Sequence, residues 1–282
     1  MDDLGVFYIA TGEQFVEEAK SSAKSIRSAM PDTPIAIATD IEPDFGFDKV
    51  INIEQPEYGF SDQISNLHRS PFRETIHLDT DIYIDSDVSG LFNLLSQFDI
   101  GAAYNHNREA YRLPKIPNSF PEYNTGVIVY RNDENFRQFT RSWKENYTEL
   151  TSEENIQNQP SFRKTLFESS LRIATLTPEY NCMVRYPGHV RNRVKIAHSR
   201  LLDIQTPGAG KSVDVVKATE KLNRYDGHRL YLPNNRSGVS ILYARDEPLY
   251  KKAVNSIRQQ GIGYTTKRGM EIISKYFRNI RK

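Results

Sequence analysis

The chain is expected to fold as an α/β protein, with a mainly parallel sheet flanked by helices. Three observations point there. Short apolar and β-branched runs alternate with longer stretches whose apolar residues recur at helical spacing, the pattern of βαβ units. Breakers punctuate the joins, as at Gly12, Pro31, Asp32 and Asp40. At 282 residues, 38% hydrophobic and 26% charged, the chain can bury the core of one large domain or two small ones.

Taken in order, residues 6–11 (VFYIAT) are an apolar run ending at Gly12 and read as a buried strand. Residues 13–30 place Phe15, Val16, Ala19, Ala23, Ile26 and Met30 on one helical face, stopped by Pro31 and Asp32. Residues 35–39 (IAIAT) and 50–53 are the next strands. A helix over 61–69 is expected, capped by Ser61 and halted before Pro71. An apolar strand over 75–78 runs into Asp79, Thr80 and Asp81 and continues as IYI. Then come a short helix at 91–98, strands at 100–104 and 126–130, helices at 135–150 and 161–169, and strands at 173–176 and 194–197. Loop signals concentrate in 105–122 and 205–211, and after about residue 200 the periodicity weakens. Residues 1–200 are therefore expected to form the main domain. Residues 201–282 are expected to be a helical or irregular extension that completes it.

No apolar run approaches the roughly 20 residues needed to span a bilayer. The N-terminal residues MDDLGVFYIAT lack a basic region and a long apolar region, so no secretory signal is visible and the cytoplasm is the simplest location. Cys182 is the single cysteine, which excludes an intramolecular disulfide framework and a cysteine-rich zinc site. The overall charge of +1 hides an asymmetry. Residues 1–100 hold 19 acidic and 6 basic side chains, a net of −13, and the remainder nets +14. Either the basic part binds an anion or the two parts attract each other.

Asp79-Thr80-Asp81 is the most informative feature. Ligands of open α/β sheets bind beyond the carboxyl ends of strands. Two carboxylates at i and i+2 after such a strand can approach one hard cation, Mn2+ or Mg2+, and leave positions open for a diphosphate. The residues alone leave rivals open. A calcium loop is disfavoured because Tyr83 and Ile84 stand where ligands and glycine belong. In a haloacid-dehalogenase-type phosphatase, Asp79 would be the nucleophile and Asp81 the acid/base. A solvated acidic turn is the third possibility.

Five blocks, YIATGEQFVEEAKSSAKSIR, PIAIATD, SPFRETIHLDTDIYI, NTGVIVYRN and NQPSFRKTLFESSLRIATLTPEYNC, occur in order over about residues 5–200. Together they resemble the GT-A (Rossmann-like) nucleotide-diphospho-sugar transferases, glycosyltransferase family 8 above all. That resemblance implies a metal-dependent, retaining hexosyltransferase acting on a nucleotide-sugar donor, a UDP-sugar first, and on a glycan or lipid-linked acceptor. By the same resemblance Ala10, Thr11 and Gly12 line the nucleoside pocket, and Asp79, Asp81 and His198 bind the metal, with Thr80 between them. Asn124, Thr125 and Gly126 match a segment facing the donor sugar, and Asn158 with Gln159 falls where the family has Asp-Gln against the transferred sugar.

Two departures stand out. Asn158 replaces the family's aspartate and cannot serve as a carboxylate nucleophile, which favours a front-face reaction over double displacement. Gln63 replaces the lysine of the family's Asp-Lys-Ile, so a positive charge beside the donor is missing. These losses also admit a non-catalytic nucleotide-sugar binder.

Residues 206–212 (TPGAGKS) look like a phosphate loop, but Gln205 stands where the first glycine belongs. A loop bringing Lys211 to the diphosphate is the functional alternative to a plain surface loop. Residues 264–282 carry six Lys/Arg against one Glu with apolar residues interleaved. Such a basic amphipathic helix either lies on the anionic inner membrane surface or packs on the domain. No recognisable nucleic-acid-binding motif is present.

Overall fold

The computed structural model describes residues 2–105, 110–153, 157–202, 213–234, 238–244, 254, 257 and 261–280. Lys211 lies outside the described residues. Its centre is a seven-stranded sheet. The first four strands are β1 (Asp2–Ile9), β2 (Ile35–Thr39), β3 (Lys49–Asn52) and β4 (Phe72–Leu78), with helix α1 (Glu13–Ala29) between β1 and β2 and α2 (Phe60–Asn66) between β3 and β4. A short β5 (Ile82–Ile84) leaves this sheet. It is followed by β6 (Ile100–Tyr104), β7 (Tyr123–Arg131), α3 (Glu134–Glu153), α4 (Asn158–Glu168) and β8 (Ile173–Leu176). The strand order is β3-β2-β1-β4-β7-β6-β8. All neighbours pair in parallel except β7, which runs antiparallel to both β4 and β6.

Helix α1 shows how the sequence builds this layer. Val16, Ala19, Ala23 and Ile26 are buried against Val6, Tyr8, Ile35 and Ile37 of the sheet. Its inner face also carries polar groups matched to the strands: Ser25 Oγ accepts the Ile84 N–H of β5 at 3.0 Å, and Ser22 meets the Tyr8 hydroxyl of β1 at 2.6 Å. On the other side, Phe136, Phe139 and Trp143 of α3 pack with Phe162 of α4 over Ile128 and Tyr130. The Trp143 indole N–H is satisfied by Ser161 Oγ at 3.0 Å.

Three expectations are corrected. The helix placed at 61–69 begins at Phe60 with Gly59 as its cap, and its end tightens into a 3-10 turn at Leu67–Arg69. The Ser61 hydroxyl caps nothing there; it accepts from the Lys144 ammonium. The segment at 91–98 is a 3-10 helix, Ser89–Ser96. The chain after residue 200 is not merely helical or irregular. It contains α5 (Val215–Asn223), β12 (Arg229–Asn234), β13 (Gly238–Ala244) and α6 (Ile262–Ile280). Strand β12 pairs with β13 on one side and with β10 (Gly188–Val190) on the other, so this small sheet crosses residue 200. Leu230, Leu232, Leu242 and Tyr243 are exposed on these strands, which blurs the alternation that would have revealed them.

A third small sheet has the order β5-β11-β9, using β9 (Cys182–Met183) and β11 (Ile196–His198). Among the described residues no helix is long and apolar enough to cross a membrane.

Candidate functional site: a metal and donor crevice

Parallel strands change direction of succession at β1: β2 lies on one side and β4 on the other. The carboxyl ends of the strands on either side of such a switch point are where open α/β sheets take ligands. Ala10, Thr11 and Gly12 end β1 there, and Asp79, Thr80 and Asp81 end β4. The Asp79 N–H bonds to the Gly126 carbonyl at 2.9 Å, which ties the acidic turn to β7.

Residue 198 arrives by strand register. β11 runs antiparallel to β5 with His198 opposite Ile82 and Ala197 opposite Tyr83, and the Ser199 N–H bonds to the Asp81 carbonyl at 3.1 Å. His198 Nε2 thereby stands 3.0 Å from Asp81 Oδ1. Asp79, Asp81 and His198 each offer a ligand atom within 4.8 Å of the others.

The hydrogen bonds around His198 decide its tautomer. The Gly126 N–H is an unambiguous donor, and it bonds to Asn124 Oδ1 at 2.9 Å. That oxygen also takes the Asn181 amide NH2 at 2.7 Å, which turns Asn181 Oδ1 towards His198 Nδ1 at 2.8 Å. Nδ1 therefore carries a proton, and Nε2, 3.0 Å from Asp81 Oδ1, is the nitrogen left to face a cation or to share a proton with the carboxylate. An imidazole fixed through its other nitrogen, beside two carboxylates, is a fitting donor set for a divalent metal. Gly126 has no room for a side chain: a Cβ would lie 2.5 Å from His198 Cε1 and 3.0 Å from Asp79 Oδ2. The residue is glycine because the ligands themselves approach its backbone so closely.

Charge around Asp81 is dense. Arg185 Nη1 lies 3.6 Å and Arg200 Nη1 3.9 Å from Asp81 Oδ2. Burial opposes ionisation of Asp81, but His198, Arg200 and Arg185 together outweigh it and hold the carboxyl well below the usual range. Glu18, fully buried on α1, accepts from Thr80 Oγ1 at 2.7 Å, from Arg200 Nη1 at 2.8 Å and from the Leu201 N–H at 3.0 Å. Burial, with Asp81 nearby, raises its pKa against the pull of Arg200, Thr80 and Leu201. One carboxylate thus clamps the metal turn to the segment following His198.

Gln63 and Asn158 touch each other. The Asn158 amide NH2 donates to Gln63 Oε1, and the Gln63 amide NH2 faces Asp79 Oδ1 at 3.0 Å, the Thr125 carbonyl at 3.1 Å and His77 Nε2 at 2.8 Å. His77 Nδ1 contacts the Phe7 carbonyl at 3.1 Å, so its Nε2 is an acceptor. The 3.7 Å approach of Nε2 to Asp79 Oδ1 is then no ion pair. Thr125 Oγ1 donates to Asn158 Oδ1 at 3.2 Å.

Of the remaining expected site residues, Gln159 accepts from Asn105 Nδ2 at 2.8 Å beside this network. Asn124 is buried, its oxygen serving Gly126 and Asn181. Ala10 lies in the core. Thr11 donates to the buried Asp62 at 2.8 Å, and the Gly12 N–H to Asp40 at 2.9 Å. Sequence reasoning missed Glu18, Asn181, Arg185 and Arg200. A signal existed only for Glu18, a carboxylate set between Val16 and Ala19 on the helix's buried face.

No protein-family model matches the chain, and no curated protein matches its sequence. Solved structures do match in fold. The glycosyltransferase GlyE from Streptococcus pneumoniae TIGR4 superposes with a TM-score of 0.55 at 13% identity, over 79% of this chain. The chain spans only 62% of GlyE's length. The galactosyltransferase LgtC, in complex with donor and acceptor sugar analogues, gives 0.47 at 15% identity over 64% of this chain and 75% of its own. An active-site mutant of LgtC gives 0.49 at 14% identity over 74% of this chain and 92% of its own. A mostly parallel central sheet flanked by helices, with its switch in strand order between β1 and β4, gives this chain the GT-A fold seen in such glycosyltransferases.

Proposed function

We propose that the chain is a metal-dependent glycosyltransferase that takes a sugar from a nucleotide-diphosphate donor, with UDP-sugars as the first donor class to test. One observation carries the reading: the β5–β11 register sets His198 against Asp79 and Asp81 at the topological switch point of a GT-A sheet. Asp79, Asp81 and His198 would hold Mn2+ or Mg2+. Such a cation neutralises charge on a leaving diphosphate as a Lewis acid. Thr11, Gly12 and their neighbours at the end of β1 would take the nucleoside, and Gln159 and the 124–126 segment would border the sugar.

The chain's own residues bear on the mechanism. Asn158 offers no carboxylate, and both ends of its amide are engaged by Gln63 and Thr125. A covalent glycosyl intermediate at this position is therefore disfavoured, and a retaining reaction would run on one face of the sugar. The bond from the anomeric carbon to the phosphate oxygen breaks with its electrons going to the diphosphate. The acceptor hydroxyl forms the new bond on the same face and gives its proton to a diphosphate oxygen. Preorganised dipoles of the Gln63, Asn158 and Thr125 network would stabilise the positive charge that develops on the sugar. The acceptor would be a sugar hydroxyl, free or lipid-linked.

The phosphatase alternative asks Asp81 to protonate a leaving group. A carboxyl held ionised by His198, Arg200 and Arg185 is poorly suited to that task. The non-catalytic reading rested on two separate losses, at 63 and 158. Their direct contact makes them one neutral pair filling its space, which favours an intact site.

The test is thermal unfolding with UDP, GDP, UDP-glucose, UDP-galactose and UDP-N-acetylglucosamine, each with Mn2+ and with EDTA. Ligands that bind only the folded state raise its stability. Mn2+-dependent stabilisation by one nucleotide class, with release of that nucleoside diphosphate on adding an acceptor sugar, is the expected result. Absence of a shift with every donor would overturn the proposal.

A further inference from the structure

Gln63 stands where the resemblance implies a lysine beside the donor, and two arginines lie near the acidic turn. Arg185 and Arg200 both approach Asp81 Oδ2, whereas Gln63 contacts Asp79, and the two arginines are not equivalent. Arg200 Nη1 is already bonded to Glu18 Oε2 at 2.8 Å. Arg185 follows β9 with a side chain only 16% exposed, and its Nη1 is 3.6 Å from Asp81 Oδ2, beyond hydrogen-bond reach. Its Nε is buried with no hydrogen-bond partner. The Tyr186 ring, 5.6 Å away, supplies a cation–π contact and no acceptor. A guanidinium N–H buried without an acceptor is costly, and the Nε of Arg185 is in that position. Such a group beside a carboxylate pair is explained most simply by an acceptor that arrives with the ligand.

Charge balance indicates what that ligand is. Asp79, Asp81 and Glu18 are three carboxylates against the two guanidinium groups of Arg185 and Arg200. Once the donor set of Asp79, Asp81 and His198 holds a divalent cation, the cluster becomes net positive and attracts an anion. A planar guanidinium fork matches a phosphate in shape and hydrogen bonding.

Building on the proposed function, we infer that Arg185 is the diphosphate-binding cation of this site, replacing from the β9 side the charge absent at Gln63. Arg185 donates to non-bridging phosphate oxygens of the nucleoside diphosphate, while Arg200 stays paired with Glu18 and supports the turn.

Isothermal titration of the full chain with Mn2+ alone, and with UDP at saturating Mn2+, tests this in wild type, Arg185→Met and Arg185→Lys. Methionine keeps the aliphatic stem and removes the donors. Arg185→Met should weaken UDP by roughly ten- to a hundredfold, the worth of hydrogen bonds to a charged group. Arg185→Lys should lose less. Mn2+ alone should bind Arg185→Met as well as wild type or more tightly, because a positive charge beside Asp81 is gone. A structural role for Arg185 would instead lower Mn2+ and UDP affinity together, and that result overturns the inference. So does unchanged UDP affinity in Arg185→Met. A wild-type chain that binds Mn2+ but no UDP brings down the proposed UDP donor itself, a failure read before any variant is made.

Discussion

Replacing Asn158 by Asp tests the neutral pair most directly. The side chain is 1% exposed. One carboxylate oxygen could keep the Thr125 hydroxyl, but the other would face Gln63 Oε1, acceptor against acceptor. Gln63 cannot simply turn its amide, because its NH2 already serves Asp79, the Thr125 carbonyl and His77. The relief available is protonation, and a carboxyl forced from its ordinary value near 4 to above 7 costs about 4 kcal/mol at pH 7. Leaving one member of a buried pair unmatched costs about 3–5 kcal/mol, which agrees. At about 2–4 °C per kcal/mol, Asn158→Asp should lower Tm by roughly 10 °C. The introduced acid has a folded pKa above its unfolded one, so the penalty grows as pH rises and should shrink to about 1.5 kcal/mol at pH 5. Adding Gln63→Lys supplies the missing charge and should recover at least about 2 kcal/mol of coupling in a double-mutant cycle. Scanning calorimetry in EDTA at both pH values is the assay. A neutral Asn158→Asp, a pH-independent loss, or no rescue by Gln63→Lys would refute the pairing.

Four other outcomes are expected. Asp79→Asn, at a side chain 36% exposed, should leave the metal-free Tm unchanged and remove the Mn2+ effect on donor binding, measured by thermal shift. Gly126→Ala would set a Cβ 2.5 Å from the His198 ring and should weaken Mn2+ by roughly ten- to a hundredfold in titration calorimetry. Glu18→Gln leaves Arg200 without its carboxylate partner and should cost about 1–3 kcal/mol in chemical unfolding, with weaker Mn2+ binding. Burial pushes the Cys182 thiol up to about 12 against the opposing Tyr231 hydrogen bond. Because that folded value exceeds the unfolded one, its contribution to stability is complete below the ordinary thiol range and falls away as pH climbs through it. Near pH 8 the thiol should react with Ellman's reagent only as fast as the chain unfolds.

Strand β2 is legible because Ile35–Thr39 is buried at every position between clear breakers. Strands β12 and β13 are not, because Leu230 and Leu232 face solvent and the pairing partner, β10, lies across a long gap in sequence. The acidic turn was visible in its own residues, whereas His198 taken alone is an unremarked histidine after an apolar run. Only strand register joins them, and register between β5 and β11 is a tertiary fact. Gln63 and Asn158 were each legible as departures from a family pattern. That the two amides meet follows from packing α4 against β7 and α2 near α3, which no local pattern encodes. Glu18 was written in plain sight on the apolar face of α1, but its partners Thr80 and Arg200 belong to distant loops.

The distance in sequence between Asp81 and His198 has a consequence during synthesis. A ribosome adding about 5–20 residues per second needs on the order of ten seconds to pass from one to the other. Through that interval the acidic turn lacks the histidine, and Glu18 lacks Arg200. The Asp79, Asp81 and His198 cluster is therefore complete only once β11 is released from the exit tunnel and pairs with β5. Any product cut short before β11 would carry both aspartates without the third member of their cluster.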